Sequence, residues 1–398
     1  MAGGRGRESL LDGVADRFER ATDFTVGLEE EYQLLDPATL ALTNRFEELQ
    51  QTAPEELAAN LAGELIASEV EFKTGAHPGL ASAGAELAEG RLALAAHADG
   101  LGVGVGITGV HPFSPWQEQR IIDTPHYARV EGELGYIAWT NNTWSIHFHV
   151  GVQGADRAVA VSTAMRSILP ELLALSANSP VFLGRETRLH STRTQIFTKS
   201  FPRCAIPDPY RDWDDYADFV RLLENTGSIV EGTQIWWSVR PHHTFGTVEV
   251  RICDGQSEMR EALALAGLAL ACVAAFCRDH DDGVPLPAHP TGLIGENLWR
   301  AQRHGLDGGL IDLARGEVRS TPDAVRALLR WSRSVHEPLG LEDLLAPIER
   351  TLADGNGAQR QLAEFRESGD PRALVSNASD RVTASAHEHL ATTIKDHT

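Results

Sequence analysis

Cysteine is scarce in this sequence: Cys204, Cys253, Cys272 and Cys277 are the four in 398 residues. Their spacing fits no zinc motif, and four are too few for a disulfide scaffold, so they read as buried, reduced thiols. A leader is not expected either. The opening MAGGRGRESLLDG holds no apolar segment of the signal-peptide kind, and no stretch reads as long enough to span a membrane. A cytoplasmic location follows as the expectation, and the Asn141-Asn142-Thr143 and Asn377-Ala378-Ser379 sequons carry no meaning there. Basic residues are in deficit, 35 Lys and Arg against 56 Asp and Glu, for a formal charge of −21 and a pI near 5.2. So acidic a chain repels phosphate backbones, which makes nucleic acid a poor partner; an anionic nucleotide can still bind where metal ions or arginines invert the local field. Internal repeats and low-complexity runs are absent.

What is present is 42% hydrophobic content, enough for a large core. Residues 1–22 read as a polar lead-in with a short helix around LLDGVADRFERA. Residues 23–398 read as one domain, sheet-rich through 256 and mostly helical from 257 on. Amphipathic helices are expected over 79–100, over 156–179 with a kink near Pro170, and over 212–227, which opens on Asp residues and closes at Gly227. Residues 257–279 form a long apolar helix that should be buried on most sides. A Pro/Asp/His loop follows over 280–290, and the rest reads as almost wholly helical.

The strands carry the chemistry. With a period of two, TVGLEEEYQLL (25–35) places Glu29, Glu31 and Gln33 on one face and Leu28, Tyr32 and Leu34 on the other, with Glu30 among the apolar residues. EVEFKTG divides Glu69, Glu71 and Lys73 from Val70 and Phe72. SIHFHVGV divides His147 and His149 from Ile146, Phe148 and Val150, and GTVEVRICD divides Glu249 and Arg251 from Val248, Val250 and Ile252. The pattern is that of a half-buried sheet with helices on its apolar side. A polar face can simply be wet, but a solvated face is normally Thr-, Lys- and Arg-rich. Five carboxylates gathered on one sheet repel unless cations sit among them. Hard oxygen ligands with an imidazole suit Mg²⁺ or Mn²⁺, and nearby Arg251, Arg240 and Arg193 suit phosphate or a substrate carboxylate. His147-x-His149 could instead hold zinc in a hydrolase site, although tetrahedral zinc wants fewer carboxylates. Glu30 needs its own explanation: a basic partner on a covering helix, or a place at a strand edge near solvent.

Two motifs lead elsewhere and are set aside. Gly104-x-Gly106-x-x-Gly109 matches a dinucleotide fingerprint, but His111-Pro112-Phe113-Ser114-Pro115 follows where a helix must begin, so the segment reads as a Gly-rich strand entering a loop. His387 and His389 lie two apart in a helical region and do not share a face.

VGLEEEYQLLDPAT, EVEFKTGAHP, GITGVHPFSPW with HYARV, SIHFHVGV, LSANSPVFLG, RPHHTFGTVEVRICD and ENLWRAQRHGLDG occur in that order. Together they resemble the bacterial carboxylate–amine ligase family, also called glutamate–cysteine ligase type 2, of the glutamine-synthetase-like superfamily. The resemblance runs from about residue 23 to about 310. It implies an α+β fold in which a curved antiparallel sheet carries ATP and divalent metal (Mg²⁺ or Mn²⁺) on its concave face. The implied activity is ATP-dependent joining of a carboxylate, commonly glutamate, to an amine through an acyl phosphate. Matched position by position, Glu29, Glu31, Glu71, Glu249 and His147 are the implied metal ligands, with Glu64 a weaker match. Arg251 is the implied contact of the transferring phosphoryl group. Arg193, Arg240 and His149 are implied nucleotide or substrate contacts, and Glu249, Arg251 and Arg193 the catalytic set. A homo-oligomer is implied as well, with no nucleic-acid or membrane partner. The segment TRLHSTRTQIFTKSFPRCAIPDPY, with Lys199 and Cys204, and WTNNTW depart from the family pattern and are expected to face the acceptor amine. An amide hydrolase on the same scaffold and a non-catalytic nucleotide-binding protein are the alternatives.

Overall fold

The alternating segments form one antiparallel sheet in the computed structural model, which describes residues 9–395. Its strands are β1 (Val26–Leu35), β2 (Leu61–Ala62), β3 (Glu69–Lys73), β4 (Gly104–Gly106) and β5 (Ile146–Gly151). After a small hairpin of β6 (Val181–Phe182) and β7 (Arg185–Glu186) come β8 (Val239–His242) and β9 (Thr247–Val250). The order is β2-β3-β1-β5-β9-β8, with β4 paired to the end of β1. The Gly-rich segment is therefore a strand, as expected, and not a nucleotide loop.

One face of the sheet is apolar and covered by helices. Leu28, Tyr32, Val70, Phe72, Phe148 and Val250 are buried in the main core with the helices Leu80–Gly100 and Met259–Asp281. Each such side chain stabilises the fold by roughly 1.5–3 kcal/mol. Contact between sheet and helix is close at Gly90, where a Cβ would lie 2.2 Å from Phe72 Cζ. No side chain larger than hydrogen fits there without displacing the ring.

Glu30 has its partner in this layer. Arg91, from the helix Leu80–Gly100, donates through Nε to Glu30 Oε2 at 2.8 Å and through Nη2 to Oε1 at 2.5 Å, with both side chains fully buried. The same guanidinium donates to the carbonyls of Ser257 and Gln256, and the Tyr32 hydroxyl donates to Glu30 at 2.5 Å. Of the two explanations open for Glu30, the covering-helix cation is the one realised.

Several expectations are corrected. The helix over 156–179 is not merely kinked: it runs Ala155–Met165, tightens to a 3₁₀ turn over Arg166–Ile168, and resumes as Leu169–Ser176. Pro170 sits in the first turn of the second piece, where its missing N–H costs nothing. Two segments, Ala155–Ser176 and Met259–Asp281, are long and apolar enough to cross a membrane by length and composition, contrary to the reading that none is; 83% and 94% of their apolar windows are buried inside the fold. The C-terminal part is interrupted by a hairpin, β10 (Gly309–Asp312) and β11 (Glu317–Ser320), turning at Gly316 with φ +71°. Asn297 ties this hairpin to the preceding helix through both the N–H and the carbonyl of Ile311. At the other end, the helix Val14–Glu19 of the polar lead-in buries Val14 and Phe18 in the main core.

Candidate active site

The opposite face of the sheet lines a cavity of about 440 Å³. Strand register assembles it. Glu29 on β1 lies opposite Lys73 on β3 and His147 on β5, Glu31 opposite Glu71, and Gln33 opposite Glu69. Glu249 on β9 lies opposite His149 on β5 and Arg240 on β8. Because side chains alternate, every one of these points away from the core. The face is not solvated: Glu71 is 1% exposed and Glu249 0%.

The charges are ordered across the sheet. At the β9 side, Glu249 accepts from Arg240 Nε and from Arg251 Nη1, each at 2.5 Å. Burial pushes the Glu249 carboxyl up, but Arg240 and Arg251 outweigh it and hold it well below the carboxylate range. Burial likewise opposes ionisation of Glu29, and His149, His147 and Lys73 overcome it. His147 Nδ1 lies 3.2 Å from Glu29 Oε2, and His149 Nε2 3.4 Å from Glu29 Oε1. His147 itself is pushed down, by burial and then by Arg251. At the β3 side the balance reverses. Burial and neighbouring carboxylates raise Glu69 and Glu71 well above their usual range and Glu64 to about 7. There the protein supplies Lys73 and little else, so carboxylates are in excess.

The donor set fits divalent cations. Three groups have ligand atoms within 4.8 Å of one another: Glu29–His149–Glu249, Glu29–Glu71–His147 and Glu31–Glu64–Glu71. His149 is 5% exposed, and its Nε2 makes no well-formed hydrogen bond, approaching Glu29 at 3.4 Å, so it is free to take a ligand. Oxygen-rich groups with at most one imidazole suit Mg²⁺ or Mn²⁺ better than zinc.

Of the nine residues nominated from sequence, Glu29, Glu31, Glu71, His147, Arg193, Arg240 and Arg251 line the cavity, and His149 and Glu249 join it through Glu29. Arg193 comes from the helix Thr192–Ser200 and donates to the carbonyls of Arg251 and Ile252, each at 3.1 Å. Its Nε, like that of Arg251, is buried with no protein acceptor. Glu64, the weak match, joins Glu31 and Glu71. Four aromatic lining residues have no signal in the sequence: Tyr127, Phe197, Phe201 and Trp236 reach the cavity from three separate segments, none with a period to reveal them. From the two unusual segments, Asn141, Thr143, Phe197 and Phe201 line the cavity, whereas Lys199 is exposed and Cys204 is buried outside the lining.

A family profile described as glutamate-cysteine ligase family 2 matches residues 25–379. The chain belongs to this family. Among relatives of the glutamate–cysteine ligase type, a protein of Solibacter usitatus provisionally named glutamate–cysteine ligase 2 is 36% identical over 88% of this chain and 91% of its own. One from Rubrobacter xylanophilus, provisionally named glutamate–cysteine ligase 2-2, is 35% identical over 96% and 98%. The fold is shared with a crystallised glutamate–cysteine ligase of Francisella tularensis, solved in complex with AMP: TM-score 0.66, 13% identity, 94% of each chain. A bifunctional glutathione synthetase of Pasteurella multocida aligns at TM-score 0.63 and 14% identity, over 95% of this chain and 55% of the other. The expected α+β glutamate–cysteine ligase fold holds, and with it the expectation of an ATP-dependent ligase forming carbon–nitrogen bonds.

Proposed function

We propose that this family 2 ligase joins the side-chain carboxylate of glutamate to an amine, at the cost of one ATP, through an acyl phosphate. The observation that carries this reading is that one face of the sheet gathers two arginines, Arg193 and Arg251, whose Nε atoms have no protein acceptor, and three convergent carboxylate groups, two of which include an imidazole. Anionic phosphate oxygens suit the first, and the cations that accompany them suit the second.

Glu29, Glu31, Glu71, Glu249 and the two histidines would hold divalent metal, which neutralises phosphate charge when bound. The chain's own residues do the rest. Glu249 fixes the Arg251 guanidinium through Nη1, and Arg251 lines the cavity, where its charge would meet the equatorial oxygens of the phosphoryl group in flight. Arg193 clamps the backbone on which Arg251 rides, so Arg251 is positioned before substrate arrives. Arg240 is anchored between Glu249 and the Ile235 carbonyl, at the far side of the same carboxylate. The substrate carboxylate attacks the γ-phosphorus and ADP leaves; the amine then adds to the acyl carbon and phosphate leaves. Tyr127, Phe197, Phe201 and Trp236 place apolar surface beside this site, which disfavours hydrolysis of the acyl phosphate. No nucleophilic side chain is used, in keeping with four buried cysteines.

Purified protein with ATP, Mg²⁺, glutamate and a panel of amines should release ADP in an amine-dependent manner, with the amide visible by mass spectrometry. ADP release that ignores both glutamate and amine would overturn the reading.

A further inference from the structure

Lysine is rare in this chain, three residues (Lys73, Lys199 and Lys395) against 32 arginines. One of the three stands inside the site. Lys73 ends β3 on the carboxylate face, directly across from Glu29. Its Nζ lies 2.6 Å from Glu71 Oε2 and 3.7 Å from Glu29 Oε1. Those two carboxylates are also members, with His147, of the middle one of the three metal-competent groups. A compact ammonium ion thus occupies the neighbourhood that a divalent ion would take. A planar guanidinium is a poorer mimic of a point cation, which gives a physical reason for lysine at this one position in an arginine-rich chain. The Lys73 side chain is 40% exposed and enters from the cavity side, so it can withdraw without disturbing the core. Glu29 is shared with the flanking group Glu29–His149–Glu249 and Glu71 with Glu31–Glu64–Glu71, but only in the middle group do both carboxylates contact Lys73.

We propose that Lys73 is a resident counter-ion of the middle position, Glu29–Glu71–His147, and competes with divalent metal for it. The inference rests on the reading that this face binds divalent cations, and it adds that the middle position is filled from within the chain. Entry of metal at the middle position therefore requires the ammonium to leave.

The test uses the full-length protein, metal-stripped and without nucleotide. Calorimetric titration with Mn²⁺ compares wild type with Lys73→Met and Lys73→Gln, with Lys73→Arg as the charge-retaining control. The variants that lose the charge should bind one more ion, or bind Mn²⁺ at least about tenfold more tightly, a close charge pair being worth roughly fivefold in water and roughly a thousandfold at a near-surface dielectric; Lys73→Arg, which keeps the charge, should stay closer to wild type than either. Unchanged stoichiometry and affinity within twofold overturns the proposal while leaving the metal reading intact. Absence of Mn²⁺ binding to every protein, wild type included, overturns both. A second measurement needs no folded variant. Wild type labelled at lysine Nζ gives three resonances, and one of them should shift as Mg²⁺ is titrated while the other two stay still. No shift in any of the three overturns the competition.

Discussion

Replacing Arg91 by Leu should destabilise the protein far more than its single charge implies. Arg91 is 0% exposed and makes four short hydrogen bonds: two to Glu30, at 2.8 and 2.5 Å, and one each to the Ser257 and Gln256 carbonyls, at 2.8 and 2.7 Å. Its loss leaves the Glu30 carboxylate, also 0% exposed, with only the Tyr32 hydroxyl as partner. Breaking one side of a buried pair costs about 3–5 kcal/mol, and each orphaned carbonyl about 1 kcal/mol or more. A loss of about 5 kcal/mol is comparable with the whole stability of many domains, so the variant should unfold at far lower urea than wild type. The double variant Glu30→Leu with Arg91→Leu should recover about 3 kcal/mol of that loss, because no charge then remains buried. Urea unfolding followed by tryptophan fluorescence measures all three proteins. A cost under about 1 kcal/mol for Arg91→Leu, or a double variant that loses the sum of the single losses, would refute the assignment of Glu30 and Arg91 as a mutually dependent buried pair.

Gly90→Ala forces a Cβ to within 2.2 Å of Phe72 and should cost about 1–3 kcal/mol in thermal or urea unfolding, despite the better helix propensity of alanine. Arg251→Lys should lower kcat on the order of a hundredfold or more with a smaller change in KM, since the interaction it removes belongs to charge developing in the transition state; stopped-time ADP assays read this. Glu171 gives a pH dependence: burial raises its carboxyl to about 7, with one oxygen lacking any partner. A folded-state value above the unfolded one means that the native protein holds the proton more tightly. Stability is then full below about pH 4.5 for this group and is lost as pH rises through about 7, by no more than about 3 kcal/mol. Glu171→Gln should remove that slope, matching wild type at low pH and exceeding it at pH 8.

Much of this was legible before any coordinates. Period-two alternation placed Glu29, Glu31, Glu71, His147 and Glu249 on one face because each strand carries its own inside–outside code, and the register then joined strands that are far apart in the chain. Pairings between layers were not legible. Nothing in the β1 sequence says that Glu30 will meet Arg91, 61 positions on, because which helix face lies over a strand is set by tertiary packing. The hairpin at 309–320 was read as helix since its short strands lack alternation and its turn rests on Gly316 and on Asn297 from another element. The aromatic lining has no sequence signal for the same reason: Tyr127, Phe197, Phe201 and Trp236 converge only through tertiary structure. Lys73 was placed on the correct face, but its seat between two carboxylates is a matter of register and side-chain reach.

The central claim is that ATP activates a carboxylate as an acyl phosphate in the cavity over β1, β3, β5 and β9. Glutamate carrying heavy oxygen in its side-chain carboxylate tests it directly. With ATP, Mg²⁺ and an accepted amine, the phosphate released should carry one labelled oxygen for each amide formed, because the bond broken in the second step lies between the acyl carbon and that oxygen. Unlabelled phosphate alongside amide formation would contradict the account.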